Sequence, residues 1–325
     1  MRGVRLSVLD RSRTRSGGSH AEALRDTVEF ARQVEAAGYH RFWVSEHHGV
    51  PGVAGSAPTV LAAAVAAATS RIRVGTGGVM LPNHQPLVVA EQFGVLESLF
   101  PGRVDMGLGR SVGFTGPVRR ALGRDRRDAD EFGARLAELL SYFTGDAAVS
   151  GYPARGLRVP AFVLATGAGA QVAAAHGLPL VIAAVRGEEA LARAVDGYRE
   201  RFRPSAWADE PYVVVSTAVA VADTTEDARR LLAPEAWSMA HSRTRGEFPP
   251  LRPPEEVLAL AMTPRERGYF EESLRGQVFG TPPEVAEALG GLVRRTGADE
   301  VLVTTSTYDR ADLLASYRRL ADLFG

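Results

Sequence analysis

The residues of this chain best suited to acid–base chemistry are the consecutive Glu46-His47-His48. Histidine titrates near neutral pH, so an imidazole that faces a substrate can accept or donate a proton. Adjacent side chains on an extended segment point to opposite faces, so the two histidines are not expected to share a metal ion. Glu46, His48 and His84 could be proposed as metal ligands, but no helical histidine spacing supports such a site. A structural role also stays open, since Glu46 or Glu91 could simply satisfy one imidazole.

A second group of residues is suited to binding a phosphate. The loop Thr166-Gly167-Ala168-Gly169 follows an apolar run and opens a helical pattern. The first N–H groups of a helix lack intrahelical partners and carry partial positive charge, which favours an anion. Arg110, which follows the preceding strand, could add a bidentate cation. The alternative is that these glycines only let a strand and a helix pack closely.

Two glycine patterns have more than one explanation. Gly77-Gly78 interrupts a strand, which would let a flat ligand approach the backbone or would accommodate a simple bulge. Gly167-x-Gly169 matches part of the dinucleotide-binding fingerprint, with Glu188 about 20 residues further on. However, Val172 occupies the third glycine position, and the unit is the fifth of eight strand–helix units instead of opening a Rossmann half.

The elements that must position these residues alternate regularly along the chain. Short β-branched runs alternate with longer amphipathic stretches, which predicts a parallel sheet, and eight runs favour a closed (β/α)₈ TIM barrel. Active sites of such barrels lie at the carboxyl ends of the strands, where the motifs above occur. The Pro- and Arg-rich segment 234–280 predicts an excursion or lid. We predict a single domain over residues 1–325, with strands at 4–9, 41–44, 73–80, 104–108, 161–164, 180–184, 212–221 and 300–304.

The composition excludes several classes of chemistry. All 38 basic residues are arginine, so Schiff-base and P-loop lysines are excluded, and the lack of cysteine excludes disulfides, thiolate nucleophiles and Cys-bound metals. The formal net charge of zero gives no electrostatic footprint for nucleic acid.

Residues 1–10 show no signal peptide, and the longest apolar run, 60–68, is too short for a bilayer. We therefore expect a cytoplasmic protein that binds neither nucleic acid nor membrane.

Taken together, these motifs resemble the bacterial-luciferase-like family of flavin-dependent monooxygenases and oxidoreductases. The similarity extends over nearly the whole chain except for the segment 234–280. Each matching stretch is short, and the ordered set carries the resemblance. The stretches are WVSEHH at 43–48, VGTGGVMLPNH at 74–84, AEQ at 90–92, PGRVDMGLGR at 101–110, HGLP at 176–179 and TGADE at 296–300.

The resemblance implies a barrel enzyme, usually a homodimer, that takes reduced FMN as a co-substrate from a separate flavin reductase. In that family the flavin reacts with O₂ to give a C4a-peroxyflavin, which oxidises a small organic substrate. The implied catalytic residues are His47, as base or peroxide partner, and its neighbour Glu46. A non-prolyl cis peptide is implied between Gly77 and Gly78, behind the flavin ring. The implied cofactor-binding residues are Gly77, Gly78, Met80, Arg110, Thr166, Gly167, Ala168 and Gly169.

Two departures and two alternatives accompany this resemblance. Gly109 replaces a reactive cysteine of the luciferase catalytic subunit, so light emission is not implied, and Ala168 and Ala170 leave mainly backbone donors in the phosphate loop.

An F420-dependent dehydrogenase on the same barrel is one alternative, and a non-catalytic flavin-binding protein is the other. The substrate is not readable, because the pocket would be shaped by the loops at 52–56 and 113–120 and by the segment 234–280.

Overall fold

The computed structural model describes residues 3–167, 169–183 and 187–324, and its centre is a closed TIM barrel of eight parallel strands. Each strand pairs with its neighbours in chain order, and pairing between the third and fourth barrel strands closes the ring. The eight-strand prediction is therefore confirmed. The strands are β1 (Arg5–Asp10), β2 (Arg41–Val44), β3 (Arg73–Thr76) continued by β4 (Val79–Met80), β5 (Val104–Gly109), β6 (Ala161–Ala165), β7 (Leu180–Ala183), β8 (Val213–Thr217), β9 (Val219–Val221), β10 (Val278–Gly280) and β11 (Glu300–Val303).

Two predicted strands are each divided in the structure. The run 73–80 is interrupted at Gly77–Gly78, where the peptide bond is cis, and β4 continues on the far side. The run 212–221 divides at Ala218, and β9 leaves the barrel to pair with β10 in a separate two-stranded sheet. Alternating apolar residues predict a strand but not the sheet to which it belongs.

The segment predicted as an excursion is larger than expected and mostly helical. It begins at β9, and its long helix continues through Pro234, which was predicted to be the start of the excursion. Proline removes one helical N–H donor, but Trp237 and neighbouring apolar residues of this helix pack against Phe270, which holds the helix together. The helices are α1 (His20–Ala36), α2 (Pro58–Ala68), α3 (Pro86–Leu99), α4 (Gly116–Ala121), α5 (Phe132–Thr144), α6 (Gly169–Ala175), α7 (Glu188–Arg201), α8 (Thr225–Arg245), α9 (Pro254–Ala259), α10 (Pro264–Leu274), α11 (Pro282–Thr296) and α12 (Arg310–Asp322).

A charged layer fills the amino-terminal end of the barrel; we call it the floor network. The Asp105 carboxylate accepts hydrogen bonds from Arg41 (2.7 Å), Arg73 (2.7 Å) and the Trp43 indole (3.1 Å). Glu300 accepts from Arg41 Nε at 3.0 Å and from a tyrosine hydroxyl. Burial disfavours the charged form of Arg41, but the two carboxylates raise its pKa above the ordinary value. The floor network therefore balances two cations with two anions.

A hydrophobic layer lies directly above the floor network. It contains Leu9, Trp43, Phe162, Val181, Val214 and Leu302, all buried and in mutual contact. Because side chains alternate along a strand, the residues two positions further on also point into the barrel. Those residues form the bottom of the opening at the carboxyl end, where the predicted motifs lie.

Candidate active site

The bottom of the barrel opening is made mostly of small residues. By strand alternation, the positions above the hydrophobic layer include Gly109, Ala183, Ser216 and Thr304, which are all partly exposed. Leu164 is the larger exception among them. A Cβ added at Gly109 would meet nothing closer than Val79 O at 3.9 Å, so space remains above this strand. Such a surface can accommodate a flat ring close to the backbone.

Gly77 and Gly78 border the same opening, and they are glycine for a steric reason. A Cβ at Gly78 would lie 2.7 Å from Gly107 O, and one at Gly77 would lie 2.5 Å from a Leu9 methyl carbon. Gly78 is partly exposed, so its backbone faces the opening. Met80 follows on β4 and is buried. The structure thus brings three of the predicted cofactor-binding residues together.

The Glu46 carboxylate is a buried centre of hydrogen bonds. His48 and His84 approach its Oε1 through their Nε2 atoms at 2.7 and 2.8 Å, and the Met80 amide donates to its Oε2 at 2.8 Å. Burial alone would raise the pKa of Glu46, but the two histidines and the amide lower it to about 2. Glu46 therefore stays ionised, and it links the loops after β2 and β4.

His47 has different surroundings from its neighbour. Its Nδ1 lies 3.1 Å from the Ser45 hydroxyl, and its ring is parallel to that of Phe114, with centroids 5.8 Å apart. Burial lowers the pKa of His47 to about 4, and the charges of Arg11 and Arg13 act in the same direction. The imidazole is therefore neutral at pH 7, which is the form that can accept a proton.

A cavity of about 340 Å³ lies beside the two histidines. Both His47 and His48 line it, although adjacent side chains on an extended segment were expected to point to opposite faces. The wall is largely apolar, and all three predicted pocket segments contribute to it. The cavity size matches a small organic molecule. The lining residues include Arg11, Val50, Val53, Phe114, Val118, Met239, Ser242 and Phe248.

A cluster of charges that the sequence motifs did not predict lies beneath this cavity. Arg11 and Arg13 approach the Glu235 carboxylate at 2.9 and 3.6 Å, and Arg13 also donates to the Ser238 hydroxyl at 2.8 Å. Arg13 is only 3% exposed, and burial lowers its pKa to about 10. Among the described residues, its Nε and Nη1 atoms have no hydrogen-bond partner. Strand alternation beyond Leu9 could have indicated Arg11, but Glu235 is distant in sequence and gave no signal.

The predicted phosphate-binding residues follow two adjacent strands. Gly109 pairs with Leu164 across β5 and β6, and Arg110 and Thr166 lie just beyond these positions. Both side chains are exposed, whereas Gly169 is buried as the first residue of α6. Gly167 has open space around its Cα, since an added Cβ would contact nothing within 4 Å. The predicted residue Ala168 lies outside the described residues.

Among the residues that the structure describes, no group of three or more His, Asp or Glu side chains has the geometry of a metal site. His48 and His84 instead share one carboxylate oxygen. The satisfied-histidine alternative therefore describes these two residues. His47 has no carboxylate partner within that described part of the chain.

Comparison with known proteins identifies the relatives of this barrel. A family model described as luciferase-like monooxygenase matches residues 4–300. The chain belongs to the luciferase-like monooxygenase family. It is 36% identical to a luciferase-like monooxygenase of Escherichia coli K12, over 98% of this chain and 97% of that protein. It is 31% identical to the N-acetyl-S-alkylcysteine monooxygenase of Bacillus subtilis, over 98% of each chain. The resemblance is thereby confirmed, and the chain is an oxidoreductase of the monooxygenase type.

Solved structures of other proteins have the same fold as this chain. The apo form of MsnO8 superposes with a TM-score of 0.89 at 33% identity, over 98% of both chains. An FMN complex of a type II Baeyer–Villiger monooxygenase gives a TM-score of 0.73 at 18% identity, covering 98% of this chain and 97% of that one. An F420-dependent secondary alcohol dehydrogenase gives 0.69 at 14%, over 99% of each chain. At such identities the last two show the fold alone, and proteins of this fold thus use FMN or F420.

Proposed function

We propose that this protein is an FMN-dependent monooxygenase that uses O₂ to oxidise a small organic substrate, with reduced FMN supplied by a separate reductase. The observation that supports this proposal best is the juxtaposition at one end of the barrel. The small-residue surface, the exposed Arg110 and the cavity beside His47 all border the same opening.

The residues present fit FMN. The isoalloxazine ring would lie on the small residues of the opening, against Gly77, Gly78 and Met80. A side chain at Gly78 would collide with the neighbouring strand, so only backbone can occupy this edge. Arg110, at the end of β5, would bind the phosphate. Thr166 and the backbone N–H groups of Gly167, Ala168 and Gly169 would bind it as well. The helix α6 has only seven residues, so arginine must provide most of the positive charge.

When bound, reduced FMN would supply the electrons with which O₂ is activated and one oxygen atom is transferred to the substrate. The role of the protein is to orient the substrate and to move protons. His47 is neutral at pH 7 and lines the cavity, so its imidazole can accept a proton from the substrate or hold one at the reacting atoms. The stacked ring of Phe114 fixes the plane of this imidazole.

Glu46 acts through its neighbours in this proposal. Its side chain is fully buried, and it accepts hydrogen bonds from His48, His84 and the Met80 amide. The carboxylate therefore orients His48 in the cavity wall and anchors β4 beside the flavin surface. Loss of this carboxylate would free two imidazoles and one amide at once, so we assign Glu46 a positioning role.

An anaerobic titration tests the cofactor assignment. The protein is titrated with reduced FMN and, separately, with reduced F420, and then mixed with O₂ while oxygen uptake is followed. We expect binding of reduced FMN and rapid O₂ consumption in its presence. Binding of F420 alone, without O₂ consumption, would support the dehydrogenase alternative. Binding of flavin without turnover of any tested thioether, aldehyde or ketone would support a non-catalytic flavin-binding protein.

We further propose that the protein forms a homodimer through α2 and α3. Val88, Val95 and Leu99 lie on one face of α3 and are 45%, 48% and 64% exposed, and Val60 on α2 is 70% exposed. Several large apolar side chains exposed on one helix face are typical of a helix-packing interface. Light scattering after size-exclusion chromatography should give twice the chain mass, and Val95→Glu should give the mass of one chain. A monomeric unchanged protein would contradict the proposal.

A further inference from the structure

One segment of the chain is strongly basic although the whole chain is neutral. Residues 110–127, here called the cationic segment, contain six arginines and one aspartate. The remainder of the chain therefore has five more acidic than basic residues. The six are Arg110, Arg119, Arg120, Arg124, Arg126 and Arg127.

In the described part of the chain, the arginines of the cationic segment are not paired with carboxylates. None has a carboxylate within 4 Å among the residues that the structure describes. Arg110, Arg120, Arg126 and Arg127 are exposed, and Arg119 donates to backbone carbonyls within the segment. The helix α4 in its middle buries no residue. Stability of the fold therefore does not explain the accumulation of positive charge.

The cationic segment lies over the opening of the barrel. It begins at the end of β5, and Phe114, Thr115 and Val118 line the cavity. A Cβ added at Gly49 would lie 2.6 Å from the Val118 side chain, so the segment contacts the loop that carries the two histidines. Its arginines are thus attached to the rim through which a ligand enters.

Acidic residues near the segment offset its charge only in part. Asp125 lies within it, and Asp128 and Asp130 follow directly. Glu131 pairs with Arg135 at 3.0 Å and is therefore already compensated. Exposed charges interact over roughly 8–10 Å at physiological salt, so an excess of cations at a rim can attract an anion before contact.

We propose that the cationic segment steers the phosphate-bearing reduced flavin into the barrel opening. This inference rests on the proposed function, and it assigns a role to Arg120, Arg126 and Arg127 in addition to that of Arg110. A flavin that arrives by diffusion from a reductase must be captured in its short lifetime near O₂. FMN carries a phosphate dianion, so a positive rim increases its association rate. The neutral analogue riboflavin lacks the phosphate and would not be steered.

The test compares two triple variants with the same change in net charge. Arg120→Gln, Arg126→Gln and Arg127→Gln are combined in one protein. The control combines Arg25→Gln, Arg71→Gln and Arg318→Gln, which are exposed, have no carboxylate within 4 Å in the described part of the chain, and lie outside the cationic segment. Anaerobic stopped-flow mixing measures the association and dissociation rate constants of reduced FMN and reduced riboflavin at low and high salt.

We expect the combined Arg120, Arg126 and Arg127 variant to lower the FMN association rate constant by about fivefold or more at low salt, with little change in the dissociation rate constant. High salt should remove the difference, and the control variant and riboflavin should show none. An equal effect in the control, or an equal effect on riboflavin, would overturn steering while leaving the monooxygenase proposal intact. If the unchanged protein binds neither reduced nor oxidised FMN, both proposals fail.

Discussion

The two ends of the barrel contain buried charges that are arranged in different ways. In the floor network, Arg41 and Arg73 are balanced by Asp105 and Glu300, with bonds of 2.7 to 3.1 Å. Beneath the cavity at the opposite end, Arg11 and Arg13 share the single carboxylate of Glu235, and His47 adds no charge at pH 7. The floor network pairs its arginines through short hydrogen bonds, whereas Arg13 at the cavity end keeps two nitrogen atoms without a hydrogen-bond partner among the described residues.

This difference indicates which end is built for stability and which for binding. A buried charge without a partner costs free energy, so a protein keeps one only where something else compensates it. The N-terminal face of a TIM barrel typically contributes stability, and the C-terminal face carries the active site. The incomplete pairing of Arg13 is therefore consistent with a site that is completed by a ligand. Four predictions test this division.

Removal of Asp105 should have the largest effect on folding. Asp105→Ala leaves the buried Arg41 and the partly buried Arg73 without their shared partner, which should lower the free energy of unfolding by about 3–5 kcal/mol. Chemical denaturation measures this value. As a control, Asp223→Ala removes an exposed aspartate that pairs with Arg319, and it should cost less than about 1 kcal/mol. Similar losses in the two variants would contradict the structural role of the floor network.

His47→Ala should have the largest effect on turnover with little effect on folding. General acid–base catalysis contributes about 10²–10⁴-fold, so the rate should fall by that factor while FMN binding stays nearly unchanged. Steady-state kinetics and flavin titration measure the two quantities. His20→Ala, which changes an exposed histidine on α1, should behave like the unchanged protein. Full turnover in His47→Ala would remove this residue from the mechanism.

The pH dependence should reflect the lowered pKa of His47. The residue stays neutral down to about pH 4, so the acidic limb of turnover should lie near that pH and not near 6.5. Stability should fall as the pH falls from about 6.5 towards 4, because the unfolded chain then binds a proton at this residue that the folded chain does not. The lowered pKa of Glu46 continues this trend. From about pH 4.5 towards pH 2, the unfolded chain binds a proton at Glu46 that the folded chain does not.

The rate profile and an acid denaturation series measure these two effects. In His47→Ala the contribution of this residue to the stability trend above pH 4 should disappear. An acidic limb near 6.5 in the unchanged protein, with the fold intact, would contradict the burial of a neutral imidazole at this position.

Phe114→Ala should have the smallest effect, and that effect should fall on substrate binding and on the orientation of His47 and not on folding. The ring is 68% exposed and stacks on His47, so its loss should change the free energy of unfolding by less than about 0.5 kcal/mol. The apparent KM should rise a few-fold, because the cavity wall opens. Val149→Ala, another exposed apolar residue, serves as a control. A large loss of stability in Phe114→Ala would mean that the segment after β5 belongs to the folding core.

The sequence predicted the barrel and the loops of the site because both depend on local patterns. Alternating apolar runs identify strands, and in a parallel barrel each strand end must lie at the same face. The position of Glu46 in the loop after β2 was therefore predictable. Its grouping with His84 was considered only as a metal site, and its hydrogen bond from the Met80 amide was not predicted, because these residues lie more than 30 positions apart in the chain.

By itself, the sequence of this protein determined its fold class, its family and the rim at which its polar motifs gather. Only the tertiary structure decided that β9 leaves the barrel, that Glu46 is a buried hydrogen-bond centre, and that Arg11 and Arg13 both approach Glu235. The physical reason is that secondary structure follows local periodicity, whereas burial and charge pairing depend on distances between segments that fold together from far apart in the chain.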